Sequence, residues 1–290
     1  MQANTIPEGA VVVGVDGSKS ALQAVDWAAR QCELEHRPLV LVHAVRALND
    51  QANLWLVRAG ADVHQVTEQV EAEGWALVEE VASLVRNRHP DLKVIPILRM
   101  EDPRQALLDL AHPASLIVLG SRGRGPVRTL LLGSTSVAVS SHATCPVVVV
   151  RPHHPGEVRR GVLVGVDGTE RSHAILEFAF RQAALHDLPL TVLHVTWEAS
   201  ALAESGPSPR TDDEEARLLL AESVSGFGEK YPEVRVHLEV AHGLADACLV
   251  HTSAHMHLVV VGRHPGHHPF GGIARTVVEY SKAVVAVVPD

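Results

Sequence analysis

The sequence is poor in aromatic residues, in cysteine and in long apolar runs, and each scarcity excludes a class of protein. Phe, Trp and Tyr make up only 3% of its 290 residues. The three cysteines are scattered and form no C-x-x-C pair, so we expect reduced thiols and not a disulfide scaffold. No run approaches the ~20 apolar residues that cross a bilayer, and residues 1–9 lack the basic and apolar regions of a signal peptide.

Positive charge is also in short supply. The sequence has 25 Lys and Arg against 34 Asp and Glu, a net charge of −9. A surface that binds nucleic acid needs a basic face, which this balance argues against. We therefore expect a cytoplasmic protein that binds neither nucleic acid nor a membrane.

What the sequence does contain is an internal repeat. Val11–Ser18 returns as Val162–Thr169, and Leu116–Gly120 returns as Leu258–Gly262. Two copies of a module above a hundred residues indicate a tandem duplication. The seam, residues 151–160, is rich in proline and charge, as linkers are. We predict domains at residues 1–152 and 161–290, joined by a linker at residues 153–160.

Strand patterns alternate with helix patterns in each copy, and Val, Ala and Leu dominate the apolar residues. This alternation requires a parallel sheet with right-handed crossovers, buried on both faces. We predict an α/β fold of two tandem open-sheet domains, each a five-stranded parallel sheet with helices on both faces. In the first copy we expect strands at about 10–15, 39–45, 93–98, 116–120 and 146–151, helices at about 18–35, 63–88 and 134–142, a short helix from Pro103, and a variable loop at 47–61.

The most informative stretch runs from Gly120 to Ser136, and we call it the 120–136 segment. It reads GSRGRGPVRTLLLGSTS and lies between an apolar run typical of a buried strand and a short helix pattern. Gly123 and Gly125 let backbone N–H groups approach a ligand without an intervening Cβ. Ser134 lies at a helix N-terminus, where its hydroxyl can cap the helix or bind a phosphate oxygen. Three arginines supply charge suited to phosphate: Arg122, Arg124 and Arg128.

We interpret the 120–136 segment as the triphosphate cradle of a nucleotide-binding protein. The alternative is a scaffold loop, because glycine-rich loops are common in parallel sheets and surface arginines are usually solvated. The segment has no lysine, which excludes the G-x-x-x-x-G-K-[ST] loop. It also lacks the third glycine of G-x-G-x-x-G.

The spacing G-x2-G-x9-G-[ST], filled by Gly120, Gly123, Gly133 and Ser134, resembles the ATP-binding signature of the universal stress protein family. The sequences VVGVDGS at 12–18, LVHA at 41–44 and SSHATCPVVVV at 140–150 are similar to further segments of that family. The resemblance covers nearly the whole first copy, in order. It implies a stress-response protein with ATP as its ligand, and we expect Mg²⁺ to accompany the triphosphate. It also implies that the two domains pack as an intrachain pseudo-dimer through their last strands, and leaves a homodimer open.

The resemblance implies a strand order that reverses direction between the first and fourth strands of the sheet. These strands end near Asp16 and Gly120. Asp16 is a turn residue before a capping Ser18 or, as the resemblance implies, a nucleotide contact; we favour the contact because ligands bind where strand order reverses. By resemblance, residues beside His43 border the adenine, while Ser136 supplies a phosphate hydroxyl or only satisfies its helix. The candidate nucleotide site comprises Gly14, Val15, Asp16, Val42, Ala44, Gly120, Arg122, Gly123, Arg124, Gly133, Ser134, Thr135 and Ser136.

The second copy departs from this signature. Aligning both flanks puts Pro265 opposite Gly123, and the interval from Gly262 to Gly271 is four residues shorter than the interval from Gly120 to Gly133, nine positions against thirteen. Proline donates no N–H group. Both hydroxyls are also lost, since Gly272 stands opposite Ser134 and Ala274 opposite Ser136. We expect the second domain to bind ATP poorly or not at all, although the helix N-terminus there can still take a simple anion.

Three functions remain open at this point. The favoured one is an ATP-binding stress-response protein whose second domain is structural or regulatory. The others are a slow ATPase or nucleotidyl-transferring enzyme, and an interaction module that needs no nucleotide. We expect binding without turnover, because the sequence offers no catalytic base poised to activate water; Asp16 is the only carboxylate placed near the cradle. His251 and His255 have the i, i+4 spacing of metal ligands, but they lack a paired acid or cysteine and are better explained as solvated or packed histidines.

Overall fold

The computed structural model describes residues 6–46, 50–123, 132–152, 161–196, 211–263 and 272–289. The chain divides into two compact units, Met1–Val150 and Arg151–Asp290. The predicted linker at 153–160 lies outside the described residues.

The first unit is a five-stranded parallel sheet with the strand order β3-β2-β1-β4-β5. Its chain moves outward from β1 to β2 and β3 and then returns to the other side of β1, so the strand order reverses between β1 and β4. Its strands are β1 Ala10–Gly14, β2 Leu39–Ala44, β3 Val94–Arg99, β4 Ala114–Gly120 and β5 Val147–Val150. Its helices are α1 Lys19–Glu35, α2 Asp50–Arg58, α3 Val63–Arg88, α4 Pro103–Asp109 and α5 Ser134–His142.

The second unit repeats this architecture, with the order β10-β9-β6-β7-β8 and parallel pairing throughout. Its strands are β6 Val162–Val166, β7 Leu190–Thr196, β8 Val236–His242, β9 Leu258–Arg263 and β10 Val284–Pro289. Its helices are α6 Ser172–Leu185, α7 Thr211–Val224, α8 Phe227–Lys230, α9 Ala245–Thr252 and α10 Gly272–Tyr280, with a 3-10 turn at Ser253–His255. The predicted fold class is therefore confirmed.

The central strands carry the core of each unit. Ala10–Val13 of β1 are fully buried, and so are most residues of β4 and β9. Valine suits these positions because its branched Cβ favours extended backbone and both faces of a parallel strand are covered by helices. None of the helices among the described residues is both long enough and apolar enough to cross a bilayer.

One helix departs from the sequence prediction. Residues 50–58, within the expected variable loop, form α2, on which Leu54, Trp55 and Val57 are 52%, 68% and 61% exposed. Three exposed apolar side chains in nine residues obscure the core-facing stripe that makes a helix recognisable in a sequence.

The three thiols differ in access, which leads to a labelling prediction. Cys32 and Cys145 are buried, and burial raises the pKa of the Cys32 thiol to about 12, whereas Cys248 is partly exposed. Because the thiolate is the reactive form, we expect at most one thiol per folded chain to react with an aromatic disulfide reagent near pH 8. All three should react after unfolding. Rapid reaction of two or three thiols in the folded protein would contradict the burial.

Candidate functional site

The end of β1 turns sharply into α1, and this turn holds Asp16. The Val15 N–H donates to the Val42 carbonyl at 2.8 Å, which keeps the turn in register with β2. The Asp16 carboxylate accepts from the Ser18 N–H at 2.9 Å across Gly17, whose φ of +74° favours glycine. Ser18 caps α1, because its Oγ accepts from the Ala21 N–H at 3.1 Å. The structure therefore contains the turn and the Ser18 cap that the sequence predicted at Asp16.

The beginning of the 120–136 segment is held by backbone and hydroxyl contacts. The Ser121 N–H donates to the Val150 carbonyl at 3.0 Å, and the Gly133 N–H donates to the Ser121 carbonyl at 2.8 Å. The Ser136 hydroxyl, on a residue only 4% exposed, donates to the Gly120 carbonyl at 2.8 Å. These bonds bring both ends of the segment together. They also occupy the Ser136 hydroxyl within the protein.

The Asp16 turn and the 120–136 segment meet at one place. A Cβ built on Gly123 would lie 2.6 Å from Asp16 Oδ2, so any larger residue at this position would require the Asp16 side chain to move. Asp16 is half-buried and Gly123 is exposed. The two motifs found in the sequence therefore lie together at the carboxyl edge of the sheet, where strand order reverses between β1 and β4.

Helix α5 begins at this edge. Gly133 is its N-cap residue, and no side chain caps the helix. Ser134 is the first helical residue and is exposed, and Thr135 is half-buried. The sequence had offered a capping role for the Ser134 hydroxyl, but the structure gives the cap position to Gly133. The first N–H groups of a helix have no intrahelical partner, so the segment ends in donors suited to an anion.

Two further candidates, Val42 and Ala44, lie at the end of β2. Val42 is 2% exposed and Ala44 is half-buried, so they offer mainly backbone groups to the edge. Between them, His43 Nδ1 donates to the Val15 carbonyl at 2.6 Å, and because a carbonyl only accepts, Nδ1 carries the hydrogen. His194 makes the same contact with the Val166 carbonyl at 3.0 Å. This histidine is a structural link between neighbouring strands in both copies.

The two remaining glycines of the candidate set are close-packed for structural reasons. A Cβ on Gly14 would lie 2.8 Å from Leu119 Cδ2, and a Cβ on Gly120 would lie 2.6 Å from the Ser20 backbone carbon. Arg122 is exposed. Arg124, with Gly125 and Arg128, lies outside the described residues.

Sequence reasoning missed a charged cluster at the same edge of the sheet. Asp102 accepts from Arg46 Nη2 at 2.6 Å and from Arg104 Nε at 2.9 Å, and it caps α4 through the Arg104 N–H. The Arg104 side-chain hydrogen bond is the main reason that the pKa of Asp102 lies well below its usual range. The Asp-Pro pair is an N-terminal helix signature and could have located Asp102, but nothing in the sequence paired it with Arg46.

The equivalent turn in the second copy has different contacts. Asp167 Oδ1 accepts from the hydroxyls of Thr169 at 2.8 Å and Ser172 at 2.9 Å. A Cβ on Gly168 would lie 1.9 Å from Leu219 Cδ2, so an α7 side chain lies against this turn. Helix α10 begins at Gly272 without a hydroxyl in its first turn, since Ile273 and Ala274 follow. Pro265 lies outside the described residues.

The second copy also contains the histidine pair noted in the sequence. His251 lies in the last turn of α9 and His255 in the 3-10 turn that follows, so the two do not share one α-helix. Together with Lys282 they line a surface cavity of about 610 Å³. Within the described part of the chain, no group of three or more His, Cys, Asp or Glu side chains is arranged to hold a metal ion.

The fold and the edge geometry together define a class: two open parallel α/β domains of one topology, arranged in tandem along the chain. A family model described as the universal stress protein family matches residues 9–151 and again residues 159–289. The chain therefore belongs to the universal stress protein family, and it contains two copies of the family's domain.

Individual relatives agree with this assignment over almost the full length. A universal stress protein of Mycolicibacterium smegmatis is 33% identical over 288 residues, covering 97% of this chain and 96% of the relative. One of Mycobacterium tuberculosis is 31% identical over 294 residues, covering 96% and 95%. The crystal structure of a universal stress protein from Archaeoglobus fulgidus matches the fold with a TM-score of 0.73 at 17% identity, covering 98% and 99%.

Proposed function

We propose that this universal stress protein binds ATP in its first domain, at residues 1–152, and that its second domain, at residues 161–290, has a structural or regulatory role. The observation that carries the proposal is the approach of Gly123 to Asp16 at the carboxyl edge of the sheet, where a Cβ would lie 2.6 Å from the carboxylate. A larger residue at position 123 would compete with the Asp16 side chain for space, so glycine keeps this cradle open for a ligand.

The donors suited to a triphosphate lie beside this cradle. They are the first N–H groups of α5 and the side chains of three residues that adjoin Gly123 and Gly133, namely the exposed Arg122, the exposed Ser134 and the half-buried Thr135. Val15, Val42 and Ala44 would border the base, mainly through backbone groups, and Asp16 would contact the nucleoside. Mg²⁺ would accompany the triphosphate through oxygen ligands, as it does for nucleotides in general.

Differences between the two copies support assigning ATP to the first. Where α5 begins Ser-Thr-Ser, α10 begins Gly-Ile-Ala, and Leu219 lies against the turn at Gly168. Charge-assisted hydrogen bonds contribute about 1.5–3 kcal/mol each, so losing several of them weakens binding by orders of magnitude. We therefore expect one ATP per chain by calorimetry.

The direct test transfers the residues of the second copy into the first. In the variant Ser134→Gly, Thr135→Ile, Ser136→Ala we expect ATP affinity to fall roughly 30-fold, because phosphate loses at least one charge-assisted partner and the Ser136 bond to Gly120 disappears. Isothermal titration calorimetry measures this change. The matched control is Thr276→Ala in α10, whose hydroxyl bonds the Gly272 carbonyl, and it should leave ATP affinity unchanged.

Two other outcomes would favour the alternative functions. If calorimetry detects no ATP binding to either the wild type or the triple variant, the 120–136 segment is a scaffold loop. The protein is then a nucleotide-independent interaction module. If single-turnover assays detect ATP hydrolysis that Asp16→Ala abolishes, the protein is a slow ATPase, with Asp16 as its essential carboxylate.

A further inference from the structure

The contact between α1 and the 120–136 segment is made by two serine hydroxyls that bracket one residue. Ser20 Oγ accepts from the Arg122 N–H at 3.3 Å, and Ser18 Oγ donates to the Arg122 carbonyl at 3.4 Å. Arg122 is 102 and 104 residues away from these serines in the sequence. Both backbone groups of Arg122 are thus held by the first turn of α1.

The fold forces this contact to be close. The carbon, oxygen and Oγ atoms of Ser20 lie 2.6, 2.7 and 2.6 Å from the position that a Cβ on Gly120 would occupy. Only glycine at the end of β4 lets α1 approach this far. Ser20 is 9% exposed, so its hydroxyl works in a site largely shielded from water, where a hydrogen bond between protein groups is not readily replaced by solvent.

The 120–136 segment starts with a three-residue stem, residues 120–122, which is held by hydrogen bonds to other parts of the first unit. Gly120 and Ser121 are held by Ser136 and β5, and Arg122 is held by α1. The next residue, Gly123, is the one that meets Asp16. The direction in which the chain leaves the stem, and hence the position of the Gly123 backbone beside Asp16, depends on how the Arg122 peptide is fixed.

The second copy provides an internal comparison. Thr169 stands at the position of Ser18, but its hydroxyl donates to Asp167. Arg171 stands at the position of Ser20, and the next residue, Ser172, also donates its hydroxyl to Asp167. The second copy therefore lacks a hydroxyl at the position of Ser20. The hydroxyl at the position of Ser18 is bound within the turn itself.

We propose that Ser18 and Ser20 are positioning residues of the first domain, which fix the Arg122 peptide so that the 120–136 segment presents its donors to the phosphates of a bound nucleotide. This inference rests on the proposed function and extends it to residues outside the glycine signature. It makes phosphate binding depend on α1, an element that carries no phosphate donor of its own in this scheme.

Ser20→Ala is the informative variant, because Ser20 does not cap α1 and alanine favours helix. We expect ATP affinity to fall about tenfold, the loss that corresponds to one hydrogen bond of ~1.5 kcal/mol, while adenosine affinity stays unchanged, since adenosine has no phosphate. Ser20→Thr keeps the hydroxyl and should restore ATP affinity. Ser172→Ala removes the hydroxyl near the equivalent position of the second copy and should have no effect on either ligand.

The possible outcomes separate this proposal from the proposed function. Equal losses of ATP and adenosine affinity in Ser20→Ala would show a merely structural serine and overturn the positioning role. Unchanged ATP affinity would overturn it too, with ATP binding itself intact. If the wild-type protein binds no ATP, the proposed function fails first. Amide hydrogen exchange at Arg122 tests the contact itself: it should be faster in Ser20→Ala, and unchanged exchange would overturn the claim that Ser20 fixes the Arg122 peptide.

Discussion

Gly120→Ala should destabilise the first unit by about 3 kcal/mol, at the upper end of the usual cost of overpacking, because the added methyl group meets the Ser20 backbone as well as its hydroxyl, and backbone cannot rotate away. The new Cβ would lie 2.6 Å from the Ser20 carbon and 2.7 Å from its oxygen, closer than Cβ atoms are found in proteins. Relief requires α1 to move away from the end of β4. That movement would also pull the Arg122 peptide away from its serine partners.

Urea unfolding followed by tryptophan fluorescence measures this effect, since Trp27, Trp55 and Trp75 belong to the first unit and only Trp197 to the second. The matched control lies at the other end of the same segment. A Cβ on Gly133 meets nothing nearer than 3.6 Å and its φ is −72°, so Gly133→Ala should cost only about the 1 kcal/mol of a weaker N-cap. Equal midpoints for the two variants would contradict the close approach of α1 to β4.

Arg151→Met should destabilise the second unit by about 4 kcal/mol, because it removes a buried charged donor from two carbonyl groups. Arg151 is 8% exposed, its Nε donates to the Ser281 carbonyl at 3.0 Å, and its Nη2 donates to the Glu279 carbonyl. Those carbonyls lie at the C-terminal end of α10, where unsatisfied acceptors and the helix dipole both favour a cation. Methionine fills similar volume but donates no hydrogen bond.

Hydrogen exchange of the α10 and β10 amides provides a local readout for this variant, since global unfolding of a two-domain chain need not be two-state. Exchange there should be faster in Arg151→Met. Arg151→Lys should fall between wild type and Arg151→Met, because an ammonium keeps the charge but not the planar fork of donors. Arg217→Met, at an exposed position of the same unit, is the control and should match wild type.

Much of the fold follows from local patterns in the sequence. The helix predicted at 63–88 has those bounds in the structure, and the one predicted at 134–142 does also. Ser18 caps α1 as its position before an amphipathic run implies. These features are predictable because caps and apolar periodicity act within a few residues. In helix α2 three exposed apolar side chains obscure this periodicity, and the helix was not predicted.

Arg151 shows where local pattern fails. Next to prolines and charges it had the composition of a linker residue, yet its guanidinium is buried against carbonyls 128 and 130 residues further along the chain. Composition describes a residue's neighbours in sequence, whereas burial depends on which segments meet in space.

By itself the sequence determined the duplication and the alternation of strands and helices. It also determined that the two copies differ: the 120–136 segment is rich in glycine and hydroxyl residues, whereas its counterpart in the second copy is shorter and contains proline. Those are matters of residue identity and spacing. Only the tertiary structure decided which partner each hydroxyl takes: Ser20 bonds Arg122, Ser136 bonds Gly120 and Ser172 bonds Asp167. The reason is that a hydroxyl can donate or accept in many directions, and packing alone fixes which polar group comes within reach.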